Sequence, residues 1–516
     1  MGVVTSIVPV VFFRGFLASE FFNRIESRRL CAENKVVTDR TFISFRGAAG
    51  PKRQTRLFTT TMADYYSVSQ MKATKRGPHN RSLSLILEAA KPFGIAVAAI
   101  VSPKRRSVLL IFSIALLVRM IALGILQHWP VTPTSGLWRS GPEIVNIAES
   151  IASGKGFSSP YGVPSGPTAW IPPVYPYLVA AVFSGAGIRS NLSAFLILTA
   201  QAIFSSFVCF PLYWTGLKVT DEKTAEWATW FWALFPYEFL IPVLFIWETT
   251  LSALLMSLLC YFCIDVSTGS RRRWVGVGVL SGIAALTNTA LISVVPFLLV
   301  WGKVPRPPWR LALRPIFIAG LAFTITVAPW SLRNWFAFKS IVPIRSNFGH
   351  EFWLGNHPGG TGRTLFGLSP SENQGELRRY AQVGEIEYVR QHRSEAVRFV
   401  ISYSIPFLRG VAYRFFYWWL VPQESGLMFS LYRVVTLGAL AGVIVLWRTK
   451  IRSADSVIIA ICIYPIVYYV TDVYARYRYP IESLMIVLGA VAASKCMFFI
   501  RRTTTRPMKC QAFVGK

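Results

Sequence analysis

Five charged residues stand where short loops meet long apolar runs in this 516-residue sequence: Glu143, Glu248, Arg333, Arg476 and Arg478. A carboxylate held at such a boundary can take a proton from a hydroxyl or amine. A guanidinium offers a planar fork of donors that fits an oxyanion such as phosphate. Each residue also has a plainer reading. Glu143 favours the dipole at the start of a helix, and Glu248, in Trp247-Glu248-Thr249-Thr250, caps one. The three arginines snorkel as interfacial anchors. An acid near membrane depth is nevertheless costly and usually has a task.

The elements around these residues are apolar. The chain is 53% hydrophobic and 15% charged, with a mean hydropathy of +0.44, against about 25% charged in soluble domains. Ten runs suit a bilayer crossing: 107–127, 192–212, 225–240, 246–266, 274–286, 290–301, 313–330, 428–447, 456–471 and 481–500. The fold class expected is an all-α, multi-pass membrane protein with interfacial helices in two long extracytoplasmic loops.

Short basic loops orient the chain, because Lys and Arg stay on the cytoplasmic side. Lys104-Arg105-Arg106, Arg271-Arg272-Arg273, the group Lys303, Arg306, Arg310 and Arg314, the group Arg448, Lys450 and Arg452, and Arg501-Arg502 all fall on one side of a ten-span chain. Both termini are then cytoplasmic, and the loops 128–191 and 332–427 face outward. Arg476 and Arg478 lie on that outer side, against the usual bias, and Arg333 stands in a similar place. Arg119 lies inside the first span, where a structural pairing in the bundle suits it.

The net charge of +30 does not imply nucleic acid. Residues 1–106 hold 18 Lys and Arg against 6 Asp and Glu, and most of the remaining excess marks cytoplasmic loops. A basic, mostly disordered cytoplasmic tail beside anionic lipid accounts for it. The organisation expected is a tail over 1–106, a transmembrane domain over 107–500 and a basic cytoplasmic tail over 501–516. Arg14 interrupts the first apolar stretch and no basic region precedes it, so no cleaved signal peptide is expected.

No metal cluster is convincing. His350 and His357 are seven apart in a loop, and Cys260 and Cys263 lie within a span without further ligands, where they read as packing residues. None of the seven cysteines is in an outward loop, so no disulfide framework is implied. Gly359-Gly360-Thr361-Gly362 lacks the Lys-Ser/Thr of a phosphate loop. Residues 378–398 read as a solvated helical face, and 399–420 as an aromatic helix at the outer interface that could border a lipid groove.

In the first outer loop, Pro142 suits a first helical turn and Gly154 the end. Ile144, Ile147, Ala148 and Ile151 repeat at helical spacing. Glu143 is in the first turn of this short amphipathic helix, and Glu149, two turns on, reads as solvated. Glu143, Ile147-Ala148, Gly154 and Gly156-Phe157, followed by Pro172-Pro173-Val174-Tyr175-Pro176-Tyr177-Leu178, are similar to the first periplasmic loop of GT-C glycosyltransferases. These are the polyprenyl-phosphate-sugar enzymes related to protein O-mannosyltransferases and lipid A aminoarabinose transferases. Pro329-Trp330-Ser331-Leu332-Arg333-Asn334, Phe352-Trp353-Leu354-Gly355-Asn356 and Arg476-Tyr477-Arg478-Tyr479-Pro480-Ile481 resemble later motifs of the same family, in the same order. The resemblance covers about residues 105–500. Many relatives carry an Asp-Glu pair where Ser140-Gly141 stand here, so the carboxylate is displaced to Glu143.

The resemblance implies transfer of a hexose or pentose from a polyprenyl-phosphate donor to a lipid, glycan or protein acceptor at the outer face of a bacterial plasma membrane. It implies Glu143 as a catalytic carboxylate, Arg476, Arg478 and Arg333 as donor-phosphate ligands, and no cofactor, since the leaving phosphate makes no demand for a metal; Glu248, an acid at the outer start of the fourth span, is read from that position as a second catalytic carboxylate. The competing class is a lipid-linked sugar transporter or flippase. That class would show matching halves with broken helices near midplane, which the sequence lacks.

Overall fold

A computed structural model describes residues 103–264, 270–301, 309–360, 362, 367–421, 427–449 and 454–504. The basic tails over 1–102 and 505–516, and the basic positions 303, 306, 450 and 452, lie outside the described residues. Every regular element among the described residues is a helix, and Ser158 and Pro167 form one isolated β-bridge.

The chain runs α1 (Pro103–Leu126), a 3-10 turn (Gly136–Arg139), α2 (Pro142–Ala152), α3 (Val174–Ala186), α4 (Asn191–Phe207), α5 (Cys209–Val219), α6 (Glu222–Leu234), α7 (Pro236–Leu244), α8 (Thr249–Cys263) and α9 (Arg271–Thr287). After a 3-10 segment (Thr289–Val294) come α10 (Val295–Trp301), α11 (Trp309–Phe338), α12 (Phe348–Gly355), α13 (Gln374–Val383), α14 (Glu385–Ser402) and α15 (Ser404–Leu420). The chain closes with α16 (Leu427–Thr449), α17 (Asp455–Ile463), α18 (Ile466–Val470), a 3-10 turn (Ala475–Arg478) and α19 (Tyr479–Thr504).

Among the described residues, five segments are long and apolar enough to cross a membrane: Arg106–Leu126, Asn191–Val219, Leu313–Phe338, Phe429–Thr449 and Ala475–Met497. The other five expected crossings fall on shorter or interrupted helices. Pro236 divides the run 225–240, because the residue before a proline is pushed out of the helical region, and Phe235 is extended at φ −70°, ψ 128°. Pro465 divides 456–471 into α17 and α18.

The core gathers on α19, whose Ile481, Leu484, Met485, Val487 and Leu488 are buried against α16, α8 and α6. Membrane helices approach closely where side chains are small. A Cβ at Gly442 of α16 would stand 2.1 Å from the Leu488 carbonyl oxygen, so only glycine permits this crossing. Arg119 is fully buried and saturated by the bundle: Nε donates to Ser205 Oγ (3.0 Å), Nη1 to the Ala115 carbonyl (3.0 Å) and the Ala233 carbonyl (3.2 Å), and Nη2 to the Glu238 carbonyl (3.3 Å). This is the structural role the sequence suggested.

Helix α8 separates two chemistries. Lys218 and Arg273 donate to the Ile264 carbonyl at its C-terminal end (3.3 and 2.9 Å). Glu248 begins its N-terminal end, about 22 Å away along 15 residues of helix.

Beyond that acidic end, α12–α14 fold against the first long loop. Glu385 is the knot. Its carboxylate accepts from Thr168 Oγ1 (2.5 Å), the Ala169 N–H (2.8 Å), Ser346 Oγ (2.6 Å) and Tyr380 Oη (2.7 Å). Residues 378–398 are therefore not merely a solvated face: Glu385, Tyr388, Val389, His392 and Ala396 form a buried inner stripe.

Candidate active site at the Glu143–Glu248–Arg476 recess

Gln201 of α4 builds one wall. Its Nε2 donates to the Pro242 and Phe245 carbonyls (2.8 and 2.7 Å), and its Oε1 accepts from the Trp247 N–H (2.9 Å). The α7–α8 connection, residues 245–248, is thus fixed to the bundle. It is fixed a second time to the first outer loop. Ser140 Oγ accepts from the Ile246 N–H (2.9 Å), and the Ser140 carbonyl accepts from Trp247 Nε1 (2.6 Å). Gly141 makes this contact possible, since a Cβ there would stand 2.4 Å from the Ile246 carbonyl oxygen. The Ser140-Gly141 pair is a docking point between two loops.

Two residues later Glu143 enters the first turn of α2, after Pro142 at N1. The helix buries Ile144, Val145, Ile147 and Ala148 at the expected spacing, and α3 covers that side. The Glu143 side chain is half-exposed. The protein surrounding it raises the carboxyl's pKa by desolvation; a backbone N–H bond and the Arg476 charge oppose that rise, while Glu351 and Glu372 add to it.

Arg476 faces Glu143 from the 3-10 turn before α19. Its guanidinium lies 4.6 Å from the ring centre of Trp247 and 5.4 Å from those of Tyr474 and Tyr477. Glu248 is within its electrostatic reach, yet no carboxylate forms an ion pair with Arg476 among the described residues. Glu248 is half-exposed and makes no side-chain capping bond to α8, so its capping alternative is not realised. Tyr468, stacked on Tyr477 (4.8 Å) and Trp418 (5.1 Å), continues an aromatic wall beside Glu248 and Arg345.

Of the five residues singled out by sequence, the fold brings Glu143, Glu248 and Arg476 together. Arg478 turns the other way. It is fully buried, Nε bonds to Glu482 Oε1, Nη1 donates to Thr436 Oγ1 (2.6 Å) and Nη2 to the Tyr432 carbonyl (3.1 Å). Arg333 ties the first loop to α11, donating to the Thr168 and Phe157 carbonyls (both 2.7 Å) and lying over the Trp330 ring. Both guanidiniums are consumed by structure. Arg345 and Glu351, paired at 3.4 Å, stand within electrostatic reach of this group, Glu351 of Glu143 and Arg345 of Tyr468, and carried no motif that would have marked them.

The remaining motif residues are also struts. Asn334 Nδ2 donates to the Val342 and Ile344 carbonyls (3.0 and 3.2 Å). Asn356 Nδ2 donates to the Val470 carbonyl (2.7 Å), and its Oδ1 accepts from Arg414 Nη2 (3.0 Å). His350 is buried among Trp170, Trp353, Tyr388 and His392, with both ring nitrogens unpartnered.

Desolvation, then the nearby His392, lowers the His350 pKa to about 3. In the unfolded chain the value is about 6.5. A folded pKa below the unfolded one means this contribution to stability is complete above about pH 6.5 and is lost as pH falls towards 3. The protection of α12 and α14 amides, referred to the intrinsic exchange rate at each pH, should therefore fall on acidification from neutral pH, and His350→Phe should remove most of that fall. An acid response unchanged in the Phe variant would assign the sensitivity to another group.

Comparison with solved structures finds distant similarities. The archaeal oligosaccharyltransferase AglB from Archaeoglobus fulgidus, in complex with an inhibitory peptide and a dolichol-phosphate, is similar over 77% of this chain and 51% of its own, at 14% identity and a TM-score of 0.49. An Archaeoglobus fulgidus oligosaccharyltransferase tethered with an acceptor peptide containing the NVT sequon is similar over 77% of this chain and 50% of its own, at 15% identity and a TM-score of 0.48. ArnT from Cupriavidus metallidurans in the apo state is similar over 76% of this chain and 78% of its own, at 12% identity and 0.33. The chain spans about half the length of the oligosaccharyltransferases it matches. No protein-family profile and no curated protein matches the sequence.

Proposed function

We propose that this chain is a GT-C type glycosyltransferase that moves a hexose or pentose from a polyprenyl-phosphate donor to an acceptor at the outer face of a bacterial plasma membrane. On this reading the chain crosses the bilayer ten times with both termini in the cytoplasm, and the recess opens outward. The acceptor is a lipid, a glycan or a protein side chain. The observation that carries the proposal is the convergence of Glu143 and Glu248 on Arg476, a guanidinium framed by three aromatic rings and held in no ion pair among the described residues.

The step balances without further reactants. The acceptor oxygen or nitrogen bonds to the anomeric carbon as its proton passes to Glu143. The bond from that carbon to the phosphate oxygen breaks, and polyprenyl phosphate leaves with the electron pair. Arg476 compensates the charge growing on the phosphate, in surroundings where a fixed donor counts for more than it would in water. Glu248, within electrostatic reach of Arg476, can bind an acceptor or sugar hydroxyl. The aromatic wall of Trp247, Tyr468 and Tyr477 suits the apolar faces of a sugar ring.

Full-length protein in nanodiscs, given a panel of polyprenyl-phosphate sugars and hydroxyl or amine acceptors, tests the reading. Release of polyprenyl phosphate together with a glycosylated acceptor is expected. Movement of intact sugar-lipid between leaflets of a vesicle, with no transfer to any acceptor, would replace the enzyme by a flippase.

A further inference from the structure

The outward region carries a surface that the proposed reaction does not use. Helix α14 packs its Tyr388, His392, Ala396 and Phe399 side inward. Its other side, and the turn into α15, are exposed and apolar: Val397, Ile401 (73%), Tyr403 (54%), Ile405 (65%) and Leu408 (61%). Along α15 the stripe continues through Ala412, Phe415 and Phe416, a helical repeat on one face. The opposite face of α15 is the buried one, with Gly410, Arg414 and Trp418. So α15 presents one continuous apolar side along its length, and the chain after it leads into the apolar span Phe429–Thr449.

The charges beside this stripe are unbalanced. The outer acids of α14 are already engaged: Glu387 with Arg390 (2.7 Å) and Glu395 with Arg379 (3.3 Å). Arg393, Arg398 and Arg409 are exposed and form no ion pair among the described residues. Arg393 and Arg398, with Ser394 and Val397, line a shallow recess at the margin of the stripe. Apolar side chains edged by unpaired arginines are the composition of a helix lying in a headgroup layer, where the stripe meets acyl chains and the cations meet phosphates.

We propose that the α14–α15 corner rests in the outer leaflet of the bilayer and selects anionic phospholipid headgroups through Arg393, Arg398 and Arg409. The corner would thereby hold the α12–α14 region against the membrane. The choice of the outer leaflet rests on the proposed topology; the contact with lipid and its charge preference stand on burial and charge and do not require the transfer reaction.

The experiment uses the full chain in nanodiscs of phosphatidylcholine. The native cysteines are replaced, and one cysteine at Ile405→Cys is labelled with an environment-sensitive fluorophore; a control label sits at the exposed Ser371→Cys. Acyl-brominated phosphatidylcholine should quench the label at 405 and leave the control at 371 bright. Acyl-brominated phosphatidylglycerol, as a minor component, should quench 405 several-fold more per mole, on the scale of about fivefold for each arginine near an anionic surface. Added salt should lower that preference. In Arg393→Gln/Arg398→Gln/Arg409→Gln the two brominated lipids should quench alike while quenching itself persists. Equal quenching by both lipids in the parent protein overturns the anionic selectivity. Absence of quenching by either, with aqueous iodide reaching the label, overturns membrane contact. Fluorophore self-quenching confined to nanodiscs that hold two copies would show the stripe covered by a second chain instead.

Discussion

Arg476→Gln should yield a folded protein that has lost donor use, and Arg478→Gln should yield a protein that fails to fold, although the two residues are neighbours in the same motif. Arg476 lies half-exposed over Trp247, Tyr474 and Tyr477, with no carboxylate partner among the described residues. Removing it leaves no buried charge stranded. It deletes one fixed donor to a developing phosphate charge, an effect on the order of a hundredfold in turnover. Arg476→Lys should restore part of the loss, since Lys keeps the charge without the planar fork. Arg478 is different in kind. It is fully buried against Glu482 inside the bundle, and breaking a buried pair from one side costs about 3–5 kcal/mol. Removing both charges with apolar residues of similar volume should recover much of that stability, because no unpaired carboxylate remains. Thermal unfolding in detergent and donor-dependent turnover, measured on the same preparations, separate the cases. Native turnover in Arg476→Gln would remove it from the site. A stable but donor-defective Arg478→Gln would reverse the assignment.

The sequence marked this motif without showing how it divides. Residues 475–478 form a 3-10 turn, and at three residues per turn positions two apart point to different sides. Arg476 therefore looks outward and Arg478 into the bundle, a distinction invisible to any rule about which loop a cation occupies. The same limit applies to Arg333, whose donors are spent on carbonyls more than 160 residues away in the chain. Long-range hydrogen bonds leave no periodic signal.

Helix α2 was legible because its burial repeats at 3.6 residues, with Ile144, Ile147 and Ala148 inside as expected. Helix α14 was misjudged because its inner stripe is built from Glu385, Tyr388 and His392, residues that read as polar until their partners are known. Hydropathy found apolar runs correctly but not their continuity: Pro236 and Pro465 cut two of them into pairs of short helices. Glu351 and Arg345 carried no signal, since a 3.4 Å pair between the first turn of α12 and the segment before it is a consequence of the fold rather than of spacing.

Glu143→Gln should preserve shape and lose turnover, by on the order of a hundredfold or more for a positioned base. The helix-dipole alternative predicts another pattern, a stability loss of about 1 kcal/mol or less with near-normal turnover. Position favours the base. Glu143 is half-exposed and so open to an acceptor, yet its surroundings raise its pKa through desolvation, and a carboxyl with a raised pKa is a stronger proton acceptor once ionised. The sign of that shift gives a second readout. The reaction needs the ionised form, so turnover should rise with pH through a midpoint above the ordinary carboxylate value, and it should fall on acidification before the fold does. Arg476 opposes the shift, and Arg476→Gln should therefore move the acid limb of whatever activity remains to higher pH. Glu143→Asp should retain an acid limb with reduced turnover, because the carboxylate is present but one methylene short. Glu143→Gln should lose the limb altogether, having no proton to titrate. The decisive measurement is turnover at saturating donor across the acid limb, with an unfolding control at each pH. Near-normal turnover in Glu143→Gln would move the base to Glu248, the other carboxylate facing Arg476, which the same pair of substitutions would then examine.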